Sequence, residues 1–359
     1  MTAALSRARA FCDRYGLAAP ILQAPMAGAC PPGLAAAVAN AGGMGGFGAL
    51  LSTAEAIADW AAQFRARSNG AFQVNLWIPE PAPIRDAAHE DRVRKTLSAL
   101  SGGLAVPEAG PGPFLPDFAA QCAALIAAAP QVASSIMGLF PPEVVAQLKA
   151  RGIAWICNAT TVAEARAAEA AGADAVVAQG SEAGGHRGSF ENAAAEHTQV
   201  GLFALLPQVA DAVRIPVVAA GGIMDGRGIA AALTLGASAV QLGTAYLRTP
   251  EAAIHPAWSA AIAHTAPEDT VLTRAFSGRL GRGIRNAVTQ AFARRTDARP
   301  APYPVQRALM APVRAAAERA GDASRMQAWA GQGAALARDE PADALTRRLW
   351  EEARALLPG

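Results

Sequence analysis

Leu34-Ala-Ala-Ala-Val-Ala-Asn-Ala41-Gly-Gly-Met-Gly-Gly-Phe-Gly48 is the stretch on which the fold turns. Within it, Gly43-x-Gly45-x-x-Gly48 satisfies the GxGxxG pattern of a dinucleotide-binding turn. That pattern has physical meaning only where a strand runs into the glycines and a helix leaves them, because the helix N-terminus receives the pyrophosphate. Here the order is reversed. A helix-like run, Leu34–Ala41, comes first, and the strand-like run Gly46–Ala49 contains the last glycine. The stretch therefore reads as a helix-to-strand turn, which removes the main support for an open, doubly wound sheet.

Outward from this turn the same unit recurs: a short apolar run, a Gly- or Asn-containing turn, then an Ala-rich helical stretch. The strand-like runs are Ile21–Ala24, Gly46–Ala49, Phe72–Leu76, Val132–Ile136, Ala154–Cys157, Ala175–Ala178, Val217–Ala220 and Val240–Leu242. Each is a run of the type expected for strands covered on both faces in a parallel sheet. Ser52-x-x-Glu55 and Thr161-x-x-Glu164 have the form of capping boxes, and Pro141-Pro142 suits another helix start. Eight strands alternating with helices over roughly 240 residues give the expected fold: an α/β protein of the (β/α)8 TIM-barrel type.

Two regions interrupt the repeat. Residues 79–116, rich in Pro and Gly, form a long excursion between the third and fourth strands. Residues 250–315 follow the eighth strand, show no ninth strand, and carry helical patterns at Ala257–His264 and Arg307–Ala320. Long excursions of this kind are usually functional or disordered. The expected organisation is a barrel over 1–247, a smaller, mainly helical substrate or lid subdomain over 248–315, and C-terminal helices over 316–359 that pack back on the barrel.

Composition narrows the function. Of 359 residues, 52% are apolar and 17% charged, with a net charge of +2 and no basic stripe, so nucleic acid is not an expected partner. The start of the chain has no apolar signal stretch, and the most apolar later run, Phe118–Pro130, is too short to span a bilayer. A cytoplasmic protein with no membrane partner is expected, as a monomer or homodimer. Cys12, Cys30, Cys122 and Cys157 are widely spaced and read as reduced, mostly buried thiols. No two histidines stand at metal-ligand spacing, so no metal site is expected.

Barrel active sites are assembled from the loops at the C-terminal strand ends, with a phosphate commonly held after strands seven and eight. Here the seventh strand runs into Gly221-Gly222-Ile223 and a helix opens near Gly226, while the eighth runs through Gln241-Leu242-Gly243-Thr244. Glycine lets backbone N–H groups approach a phosphate, and a helix N-terminus adds a favourable dipole; tight turn packing is the plainer reading. The sixth loop, Gln179-Gly-Ser-Glu-Ala-Gly184-Gly-His186-Arg-Gly188, sets a histidine among glycines, where an accessible imidazole suits proton transfer or charge stabilisation. A surface histidine is the alternative. Asn75 interrupts an apolar strand and either binds a ligand's heterocycle or caps the strand end. Pro25 and Met26 stand at the mouth after the first strand, where Met26 serves the site or ordinary packing.

Taken together, Gln23-Ala-Pro-Met26, Gly42-Gly-Met-Gly45, Gln179 through Gly188, Ala220-Gly-Gly-Ile223 and Gln241-Leu-Gly-Thr244 resemble the nitronate monooxygenase family. Tyr303-Pro-Val-Gln306 and Trp329-Ala-Gly-Gln-Gly333 extend the resemblance towards the C-terminus. It implies an FMN cofactor contacted by Pro25, Met26, Asn75, Gln179, Gly184, Gly221, Gly222, Gln241, Leu242, Gly243 and Thr244. It also implies His186 as the catalytic residue, Tyr303 in the substrate lid, and oxidation of a small alkyl nitronate, such as propionate 3-nitronate, by O2 to a carbonyl compound and nitrite. FMN- and NAD(P)H-dependent enoyl-acyl-carrier-protein reductases share the barrel and a similar Gly-Gly-His loop. They more often carry Glu-Ser-Gly-Gly-His where this chain has Glu182-Ala-Gly-Gly-His186. A flavin-free barrel isomerase or lyase holding a sugar phosphate, and a non-catalytic flavin-binding module, are the other readings.

Overall fold

In chain order the strands are β1 (Ile21–Gln23), β2 (Gly45–Gly48), β3 (Phe72–Trp77), β4 (Val132–Ile136), β5 (Ala154–Ala159), β6 (Ala175–Gln179), β7 (Gly185–His186), β8 (Val217–Ala220), β9 (Ala239–Leu242), β10 (Thr270–Thr273) and β11 (Gly281–Ile284). They belong to a computed structural model that describes residues 2–294 and 299–357. Met1, residues 295–298 of the expected lid and residues 358–359 of the expected C-terminal segment lie outside the described residues.

All eight apolar runs become parallel strands of one sheet, ordered β1-β9-β8-β6-β5-β4-β3-β2. A parallel bridge between Leu22 and Met44 joins its two ends, with Gln23 N donating to Met44 O (2.9 Å) and Met44 N to Ile21 O (2.9 Å). The sheet is thus closed into a (β/α)8 barrel. The decisive stretch resolves as a helix, Pro32–Asn40, entering β2. Its glycines serve close backbone approach rather than phosphate binding. A Cβ on Gly46 would lie 2.3 Å from Gln23 O, and one on Gly45 would lie 2.6 Å from Ala35 O.

Inside the barrel, Leu22, Met44, Ile156, Val177 and Val218 form an apolar plug. Above it sits a buried amide network, in which Gln73 Nε2 donates to Gln23 O (3.1 Å) and to Gln241 Oε1 (3.2 Å). The four cysteines are free and buried. Among the described residues, no helix is long and apolar enough to cross a membrane.

Helix starts follow the sequence with one shift of register. The helix Ala54–Arg65 is capped by Thr53, whose Oγ1 accepts from Ala56 N (3.3 Å), rather than by Ser52. Thr161 caps Val162–Ala170 as expected, but the Glu164 carboxylate turns to Thr160, accepting from its N (2.6 Å) and Oγ1 (2.7 Å).

The larger correction lies beyond the barrel, where the sequence reading expects no further strand. β10 and β11 form an antiparallel pair, and β11 also pairs with β7, placing Gly281 opposite His186. Gly-Arg-Gly-Ile has no strand signature of its own, so tertiary pairing with the histidine loop gives it one. The helix Val305–Ala320 runs across the expected boundary at 315/316. The final helix, Ala342–Leu356, lies against Gly226–Thr234, with Glu352 Oε2 accepting from Gly226 N (3.2 Å).

Candidate active site

A cavity of about 630 Å³ opens at the C-terminal mouth of the barrel. Pro25, Met26, Asn75, Gln179, Gly184, His186, Gly221, Gly222, Gln241, Gly243, Thr244 and Tyr303 all line it. Leu242 does not. It alternates with Gln241 along β9 and its side chain is buried in the core between barrel and helices. Period-two alternation puts one of any two successive strand residues outside the barrel.

One end of the cavity offers open backbone donors. Gly221 (φ 117°) and Gly222 (φ 70°) turn sharply out of β8, a conformation that L side chains resist. Among the described residues, their N–H groups and that of Gly243 donate to no backbone carbonyl. Thr244 Oγ1 accepts from Gly331 N (3.0 Å), which leaves its own hydrogen for a ligand. Gly184 and Gly331 touch backbone to backbone: a Cβ on Gly184 would lie 2.5 Å from Gly331 N. The segment around Gly331 and Gly333 is therefore a wall of this cradle, although only the family resemblance draws attention to it in the sequence.

The floor supplies amides. Asn75 Nδ2 donates to Ser134 Oγ (3.1 Å), leaving Oδ1 without a protein partner among the described residues. Asn158, at the end of β5, is buried and lines the cavity with Nδ2 unpartnered. Sequence reasoning passed it over, although Trp155-Ile-Cys-Asn158 carries the same signal as Asn75, an amide within an apolar strand. Gln179 behaves differently. Its Nε2 donates to His186 O (3.0 Å) and its Oε1 accepts from Gly188 N (2.8 Å), so it holds the histidine loop in place.

His186 stands at the other end. Its ring lies between Trp77 and Trp329, each with ring centroids 4.8 Å away and edge-on. Nε2 is 2.8 Å from Ser277 Oγ, itself fully buried and 3.1 Å from Arg279 O. The imidazole is thus packed and pinned, less accessible than its glycine neighbours suggest. Burial pushes its pKa down to about 3, and the Arg279 and Arg307 guanidiniums push the same way. At neutral pH the ring is uncharged. Tyr303 stacks on Trp77 (5.8 Å, 29°), and its buried Oη has no partner. Burial raises the Tyr303 pKa to about 12, so the phenol keeps its proton. Arg307, in the first turn of the helix that follows Tyr303, also lines the cavity. Among the described residues, no group of His, Cys, Asp and Glu could hold a metal ion.

A closed (β/α)8 barrel with backbone donors at one end of its mouth cavity and a pinned histidine at the other has the architecture of a barrel enzyme. The family described as Nitronate monooxygenase matches residues 10–352. A nitronate monooxygenase of Paraburkholderia phytofirmans is 41% identical over 96% of this chain and 94% of its own length. A solved structure described as nitroalkane oxidase from Streptomyces ansochromogenes superposes with a TM-score of 0.88, at 40% identity, over 97% of this chain and 100% of that one. FabK from Thermotoga maritima superposes at 0.74 with 28% identity, covering 97% and 96% of the two chains. The chain belongs to the nitronate monooxygenase family and is an oxidoreductase.

Proposed function

We propose that this protein carries out FMN-dependent oxidative denitrification of alkyl nitronates, propionate 3-nitronate among them, consuming O2 and releasing a carbonyl compound and nitrite. The observation that carries the reading is the donor set around His186: an unpartnered phenol, an unpaired guanidinium and a neutral imidazole facing one cavity.

The residues fit FMN. Its phosphate would meet Gly221, Gly222, Gly243 and Thr244, and its polar ring edge the Asn75, Asn158 and Gln241 amides, while Met26 and Pro25 offer apolar contact. Bound there, FMN supplies the electron acceptor and the route to O2. The chain's own contribution is binding and orientation. A nitronate is an anion, and Arg307 with Tyr303 Oη–H can neutralise and orient it. His186 adds one hydrogen bond without a second positive charge. A base whose conjugate acid titrates near 3 is poorly matched to a nitroalkane C–H bond, which favours a substrate that arrives already ionised. Trp77 and Trp329 keep water from the imidazole and strengthen these contacts.

The test is nitrite release and O2 uptake by the purified protein given propionate 3-nitronate, beside NAD(P)H oxidation with an enoyl thioester. Nitrite in step with O2 uptake, from protein that yields FMN on denaturation, supports the assignment. NAD(P)H oxidation without nitrite, or a chain that binds no flavin, overturns it.

A further inference from the structure

Arg307 and Arg314 lie on one face of the helix Val305–Ala320 and both line the cavity. Both are half-buried, and that burial lowers the pKa of each. A guanidinium in that position normally has a carboxylate beside it. Neither has one. Among the described residues Arg307 makes no hydrogen bond or ion pair, and Arg314 has a single partner, its Nη1 donating to Gln327 Oε1 (3.0 Å). Glu318, one turn beyond Arg314, lines the same mouth but is exposed and forms no ion pair with it.

The two cations repel each other weakly along the helix but face different neighbours. Arg307 acts on His186 and Tyr303, where the reacting group is bound. Arg314 stands seven residues further along, on the order of 10 Å at the rise of an α-helix. Trp329, which packs against His186, and Trp258 and Met326 add an apolar wall to the same cavity. Trp258 is fixed by donating Nε1–H to Trp329 O (3.1 Å).

We infer that Arg314 and Gln327 form a second anion subsite, and that the preferred substrate is a nitronate whose aliphatic chain ends in a distal carboxylate. The apolar wall takes the chain, Arg314 takes the terminal charge and the Gln327 amide flanks it. One guanidinium with Glu318 nearby suits a singly charged carboxylate better than a doubly charged phosphate. The span favours a chain longer than that of propionate 3-nitronate, in which the two anionic groups are only two carbons apart. This inference rests on the nitronate reading above, and its test separates the two.

The holoenzyme is assayed for kcat/KM with ω-carboxyalkyl nitronates of increasing chain length and with uncharged alkyl nitronates of the same lengths. The charged series rises with length to an optimum beyond the three-carbon member, and there the charged substrate exceeds its uncharged counterpart at least tenfold. Arg314→Met lowers that ratio at least tenfold, chiefly through KM, and Arg314→Lys restores part of it. Quenching of tryptophan fluorescence by adipate and pimelate reports binding without turnover, and weakens at least tenfold in Arg314→Met. A flat length profile, or equal losses on both series, overturns the subsite. Adipate binding lost in Arg314→Met, in a protein that oxidises no nitronate, upholds the anion subsite and overturns the nitronate reading. No adipate binding in the parent overturns the subsite alone.

Discussion

Two groups of arginines handle charge in opposite ways: Arg307 and Arg314 line the cavity, while Arg279, Arg282 and Arg187 stand behind its lining. On the hairpin side, Arg279 is 1% exposed yet engaged: it pairs with Glu80 and donates to Ser189 O. Arg282, its neighbour on β11, donates to Ser181 O (2.8 Å) and Thr270 Oγ1 (3.0 Å), and Arg187 is held by the carbonyls of Gln179 and Thr160. Among the described residues, Arg307 makes no hydrogen bond or ion pair and Arg314 has one amide partner. The first group is buried and the second half-buried, so the two differ in exposure as well as in partners. What the protein already satisfies is structural, and what it leaves open is where a ligand completes the structure.

The most severe test of this contrast is Arg279→Met. It strands the Glu80 carboxylate and the Ser189 carbonyl, and is expected to lower unfolding free energy by about 3 kcal/mol in urea titrations. A loss below 1 kcal/mol would place Arg279 with the open side. Next in size, His186→Asn retains FMN but loses nitronate turnover by about 100-fold, measured as nitrite release by flavin-replete protein. Unchanged kinetics would remove His186 from the mechanism and leave its packing by two tryptophans a structural matter.

The same histidine gives a pH signature. Its folded-state pKa, about 3, lies below the ordinary value of 6.5, so between those values the unfolded chain binds the extra proton. Its contribution is therefore fully present above pH 6.5 and is lost as pH falls towards 3, by about 1.4 kcal/mol per pH unit. Denaturant titrations of parent and His186→Asn across that window isolate it; parallel pH profiles would show that the imbalance is absent. The smallest effect belongs to Arg307→Met, which breaks no internal contact. Stability should stay within about 1 kcal/mol of the parent, or rise, while KM for nitronate increases. A large destabilisation would mean that Arg307 belongs with Arg279.

Most of the barrel was legible because its strands are buried on both faces and leave short, mainly apolar runs between helical stretches. The GxGxxG stretch was resolved by its context, and the structure assigns those glycines to close strand and helix contacts. The hairpin was not legible, since Gly281-Arg-Gly-Ile284 has neither alternation nor a continuous apolar run. At the site, the glycine turns announced themselves because few other residues can adopt those conformations. Gln179 was visible as a site residue but not as the clamp on the histidine loop, which depends on where its amide finds partners. Arg307 and Arg314 read in sequence as the polar face of an amphipathic helix. Only the packing of that helix over the mouth turns them inward. Asn158 could have been found by the logic applied to Asn75.

The barrel's last strand ends at Leu242, yet the Gly331 N–H that binds Thr244 belongs to a segment about ninety residues later. Chains fold broadly from the N-terminus as they are synthesised. A nascent chain therefore completes its scaffold well before its cradle, and the pocket closes only when nearly all of the chain has emerged. Retention of the proposed FMN would therefore report whether this late segment is present: a product that stops short of Trp329 can carry every barrel strand and still lack one wall of the site.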